Sequence, residues 1–87
     1  MKGKTSNGFV YEVDDDALDN MELFEALSEI ESNPIALTKV ITLLFGKEQK
    51  KALYDHLRNE NGKVPVEAVN DTVSEVFTAL GTLGKNS

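Results

Sequence analysis

After Pro65, the residues Val66, Val69, Val73, Val76, Phe77, Leu80 and Leu83 recur at steps of three and four, so they lie along one stripe of an α-helix. Asn70, Asp71, Ser74, Glu75 and Thr78 fall mainly off that stripe. A helix this one-sided has to bury its apolar side, and that requirement limits the folds open to the chain. Pro65 suits a first helical turn, where its missing N–H costs nothing, and Gly81 and Gly84 mark fraying at the far end. The stretch 61–83 is therefore expected to be the element on which the other segments assemble.

Eighty-seven residues make one domain, 1–87, just long enough for a modest core. With no cysteine there is neither a disulfide nor a thiolate metal site, which fits a reducing cytosol. A formal charge of -6 disfavours nucleic acid and anionic membrane surfaces, since both are polyanions. The longest apolar run, around 40–45, is far too short to span a bilayer, and no secretory leader precedes it. A small, acidic, soluble, cytoplasmic domain is expected.

Phe9, Val10, Tyr11, Glu12 and Val13 follow an Asn7-Gly8 pair and favour a short strand, with residues 2–6 able to pair back through the turn. The run Asp14-Asp15-Asp16 ends that strand and is expected to place negative charge at the start of the next helix. From 17 or 20 to 31, Met21, Leu23, Phe24, Leu27 and Ile30 form a second apolar stripe, opposed by Glu22, Glu25, Ser28 and Glu29. Ser32-Asn33-Pro34 stops this helix, and Ser32 or Asn33 can cap the following one.

Residues 35–45 are apolar on nearly every side, which predicts the most buried helix of the fold or one that shares its surface with another chain. Gly46 is expected to end it. A further amphipathic helix is read over 47–58, with Ala52, Leu53, Tyr54 and Leu57 inward and Lys47, Lys50, Lys51 and Asp55 outward. The turn cluster 59–62 leads back to the stripe after Pro65. The expected fold is mainly α: an N-terminal strand or hairpin over 1–13, a bundle of about four helices over 17–83, and a flexible tail at 84–87.

Chemistry-bearing motifs are few. Residues 57–68, LRNENGKVPVEA, have the outline of an EF-hand loop with Gly62 at its sixth position. Leu57 and Ala68 stand where the first aspartate and the closing glutamate belong, leaving Asn59 and Asn61 as weak neutral ligands, so no calcium site is expected. Asp14, Asp15, Asp16 and Asp19 lack the spacing of a cage. His56, the only histidine, lies among Lys50, Lys51 and Arg58 with no nucleophile set against it, and reads as a surface residue. No catalytic residue and no cofactor is expected.

The runs NGFVYEVDDDALDNMELFEALSEIESNP and LLFGKEQKKALYDHLRNENGKVPVEAV, followed by a helical tail, resemble the tail assembly chaperones of long-tailed phages and prophages of Gram-positive bacteria. The likeness covers roughly residues 7–83 and consists of packing and turn residues. It implies a non-enzymatic role: binding the tape measure protein, a long and partly hydrophobic helical polypeptide, and helping recruit tail tube subunits. In many members of that family a frameshift extends a short form, and Gly84-Lys85-Asn86-Ser87 would suit the end of one.

A helix-binding role needs accessible apolar surface together with net charge for solubility. The expected partner-binding residues are Ile41, Leu44 and Phe45 on the apolar helix and Phe77, Leu80 and Leu83 at the end of the last one. An apolar helix in so small a domain also leaves room for self-association into dimers or rings. A calcium-free EF-hand-like adaptor gripping a target helix is the alternative, and a small hydrolase or transferase using His56 a distant third.

Overall fold

The computed structural model describes the backbone of residues 1–85 and the side chains of residues 1–81. The chain runs β1 (Lys2–Lys4), β2 (Val10–Glu12), α1 (Met21–Glu29), α2 (Ala36–Leu57) and α3 (Val66–Lys85). It is mainly helical with an antiparallel hairpin, as expected, but the described residues form three helices and not about four. Gly46 accounts for the difference. Its backbone leaves the helical region at φ 81° and ψ 169°, so α2 is one continuous element made of two helical segments that meet at a kink. A side chain there would be strained, although the space beside the Cα is open. Of the tail expected at 84–87, Gly84 and Lys85 belong to α3, and the last two residues lie outside the described part.

The central element is α2, not the stretch 61–83. It alone packs against α1, α3 and β2, while α3 packs on α2 and is tied by hydrogen bonds to the hairpin turn. That position explains why an all-round apolar segment is stable here: Ala36, Leu37, Val40, Ile41, Leu44 and Phe45 are all buried. Each large aliphatic or aromatic side chain removed from water in this way contributes about 1.5–3 kcal/mol. On α3, Val69, Val73, Val76 and Leu80 supply the buried stripe, whereas Val66 at its start is exposed. Pro65 stands just ahead of α3, and its carbonyl accepts the Val69 N–H at 3.2 Å.

α1 buries Leu23 and Ala26 and half-buries Leu27 and Ile30, a set spaced at three, four and seven residues. Met21 and Phe24, expected inward, point out and are 72% and 52% exposed. The cap is Asn20, whose side chain accepts the Glu22 N–H at 3.0 Å. The acidic run lies before the helix in tight turns, with Ala17 N–H donating to the Asp14 carbonyl and Asp19 N–H to that of Asp16.

The hairpin pairs Lys2 with Glu12, Gly3 with Tyr11 and Lys4 with Val10. Its turn is closed by Gly8 N–H to the Thr5 carbonyl and Thr5 N–H to the Phe9 carbonyl, each at 2.9 Å. Gly8 at φ 91° supplies the left-handed step such a turn requires. Phe9, Tyr11 and Val13 alternate inward while Val10 and Glu12 face water, the period of a one-sided sheet. The ring of Tyr11 lies over Gly3 so closely that a Cβ there would collide with it. No helix among the described residues is long and apolar enough to cross a membrane.

Candidate partner-binding groove

The beginning of α2, the end of α2 and the beginning of α3 enclose an open groove of about 490 Å³. Ile35, Leu37 and Ile41 form one wall, Val64, Val66 and Val69 another, and Tyr54 and Arg58 stand at its border. Two turns set its rim. At the first, Asn33 Oδ1 accepts the Ile35 N–H at 3.3 Å and the Asn33 carbonyl accepts the Ala36 N–H at 2.9 Å. This bend leaves Ile35 at the start of α2 with 74% of its surface exposed. At the second, Asn59 Oδ1 accepts the N–H groups of Asn61 and Lys63 at 2.9 and 3.1 Å, and Arg58 donates to the Gly62 carbonyl at 3.1 Å. The loop thus folded delivers Val64 to the groove and leaves Val66 71% exposed.

Beside the groove runs a second surface. Lys47, Lys50, Lys51, Tyr54 and Arg58 follow one another by three, one, three and four residues and so share one face at the end of α2. Tyr54 and Arg58 belong to both surfaces. The Lys50 ammonium sits 5.8 Å from the centre of the Tyr54 ring and donates to Thr42 Oγ1 at 3.3 Å. Asp55 is the carboxylate that lines this face, accepting from Lys51 at 2.9 Å and Arg58 at 3.2 Å. Those hydrogen bonds, from Lys51 first and then Arg58, hold its carboxyl below the ordinary aspartate range.

The residues expected to bind a partner are placed differently. Ile41, Leu44, Phe45 and Leu80 are buried in the chain's own core, and Phe77 is half-buried against it. Ile41, Leu44 and Phe45 are inward because α1, α3 and β2 all pack on α2, and Leu80 and Phe77 pack into the same core. Of these residues Ile41 alone reaches the groove, as part of one wall. The side chain of Leu83 lies outside the described residues. Ala52, expected inward, is exposed. The sequence does not mark the rim residues Ile35 and Val66 as binding residues, because both belong to apolar patterns that read as core. Their places in the first turn of each helix, next to Pro34 and Pro65, were the available signal.

His56 is exposed, and its Nε2–H donates to the Asn7 carbonyl at 2.9 Å, with its ring 6.0 Å from that of Phe9. A carbonyl can only accept, so this nitrogen carries the proton, and the imidazole serves to anchor the hairpin turn. In the loop with the EF-hand outline, the Asn59 oxygen is already taken by two backbone N–H groups, and the Arg58 guanidinium lies against the loop carbonyl of Gly62. Among the described residues, no three His, Cys, Asp or Glu side chains are grouped so as to hold a metal ion. Comparison of the chain with protein-family profiles, with curated proteins and with solved structures finds no match.

Proposed function

We propose that this chain is a non-enzymatic tail assembly chaperone of a long-tailed phage or prophage, acting in the host cytoplasm. It holds a helical segment of the tape measure protein in its groove, keeps that polypeptide soluble, and helps bring tail tube subunits to it. The observation that carries this reading is the apolar groove rimmed by Ile35 and Val66, each more than two-thirds exposed. An amphipathic helix laid into such a groove would cover both rims at once. Apolar residues left open in pairs beside a concave apolar wall are a common mark of a protein contact. The net charge of -6 then serves to keep the complex in solution. The imidazole of His56 is engaged in holding the hairpin, which supports a binding role over a catalytic one.

The test is co-expression with a tape measure fragment. The unaltered chain is expected to carry the fragment into the soluble fraction, and the double variant Ile35→Ser, Val66→Ser to lose most of that yield while folding normally. Failure of the unaltered chain to bind any tape measure fragment would remove the functional reading. Full activity of the double variant would remove the groove as its site.

A further inference from the structure

We infer that the groove selects an acidic amphipathic helix, one whose apolar stripe fills the groove while carboxylates on the adjoining flank meet the basic face of α2. This rests on the groove being a partner site, but not on the partner being a tape measure protein. The charge pattern supplies the choice of occupant. Nine lysines and arginines face fifteen acidic residues in the whole chain, yet the surface beside the groove is lined by Lys47, Lys50, Lys51 and Arg58 with Asp55 as its carboxylate, and exposed Glu48 stands at its edge next to Asp55, so cations outnumber carboxylates there. Among the described residues Lys47 takes part in no ion pair and Lys50, held over the Tyr54 ring, has no carboxylate partner.

The two surfaces are continuous through Tyr54 and Arg58, so one helix can engage both. Apolar anchors spaced at three, four and seven residues would lie between Ile35 and Val66, and acidic residues about one position to the side would fall over the lysines. Asp55 already shows the chemistry such a carboxylate would meet: it accepts from Lys51 and Arg58 together. A polyphosphate backbone would engage the cations only. It would leave the apolar wall of Ile35, Leu37, Val64 and Val66 uncovered.

Three dye-labelled helical peptides with the same leucine stripe, bearing Glu, Gln or Lys on the flank, decide the matter by fluorescence anisotropy with the full chain. The Glu peptide is expected to bind about tenfold tighter than the Gln peptide, and the Lys peptide weakest, with the differences shrinking as salt rises from about 0.05 to 0.5 M. Lys47→Glu with Lys51→Glu, both at exposed positions, is expected to reverse the order, and Ile35→Ser with Val66→Ser to weaken all three peptides. Equal affinity for the three peptides, no binding of any, or displacement of the Glu peptide by a short single-stranded oligonucleotide would overturn the inference. Capture of the tape measure fragment unaltered by the lysine reversals would overturn it while leaving the proposed function standing.

Discussion

The second half of α2 has two sides that treat their residues in opposite ways. Towards the hairpin, the Gln49 carboxamide accepts the Glu12 N–H at 2.7 Å and donates to the Glu12 carbonyl at 2.5 Å, pairing with β2 much as another strand would. His56 holds Asn7, whose amide in turn donates to Thr72 Oγ1 at 2.8 Å on α3, while Ser6 donates through its N–H and hydroxyl to Glu75. Under these polar links Phe9, Tyr11 and Phe45 form a closed aromatic cluster, with Phe9 meeting Phe45 edge-on at 5.9 Å. Towards the groove, Tyr54 and Arg58 border open Ile35 and Val66. One side uses polar contacts to seal apolar groups, and the other leaves apolar groups uncovered. Stability is therefore expected to reside mainly on the hairpin side and binding mainly on the groove side.

Replacing one aromatic side chain should have the largest effect. Phe45→Ala removes the ring shared by the hairpin and α2, and is expected to cost about 3–5 kcal/mol in chemical denaturation. In a domain whose whole stability is of order 5–15 kcal/mol, that variant would be close to unfolding at physiological temperature. A loss below about 1 kcal/mol would mean that the hairpin does not seal the core. Thr72→Val keeps the shape but takes away the acceptor of the Asn7 amide. Asn7 is exposed enough to turn to water, so the expected loss is near the low end of the unsatisfied-group range, about 1 kcal/mol by thermal melting.

At the rim, Ile35→Ser with Val66→Ser should change unfolding free energy by no more than about 0.5 kcal/mol per site, because neither side chain is buried. A larger loss would sharpen the comparison by showing that the rim also supports the fold. The smallest effect belongs to Asp55, whose lowered folded-state pKa contributes stability that is complete above the unfolded aspartate value of about 3.9. That contribution is lost as pH falls through the depressed value. Asp55→Asn should therefore flatten the acid limb of the melting profile slightly and leave the neutral region almost unaltered. A variant equally sensitive to acid would show that the Lys51 and Arg58 contacts are not maintained in solution.

Helix positions were legible because periodicity reports which residues of one segment share a face, as the Val69, Val73, Val76 and Leu80 stripe does. The turn at Asn7-Gly8 was legible from residue type. What periodicity does not report is how many neighbours a helix has. Ile41, Leu44 and Phe45 read as surplus apolar surface, yet α1, α3 and β2 all pack on α2. Met21 and Phe24 read as inward because they are apolar, although their angular positions lie well away from Leu23 and Ala26, the residues that α1 buries. Gly46 reads as a break and the backbone does leave the helical region there, but residue type does not report that the two helical segments run on into each other across the kink. The links from Ser6 and Asn7 to Glu75 and Thr72 join residues 69 and 65 positions apart, and no local spacing announces them.

The most direct measurement is a two-dimensional amide spectrum of the labelled chain during titration with the Glu-flanked helical peptide. Shifts are expected to cluster at Ile35, Leu37 and Ile41, at Tyr54 and Arg58, and at Val64, Val66 and Val69, with Thr5, Asn7 and Phe9 unmoved. Shifts centred on the hairpin, or a spectrum that the peptide leaves unaltered, would contradict the division of the molecule into a sealed side and a binding side.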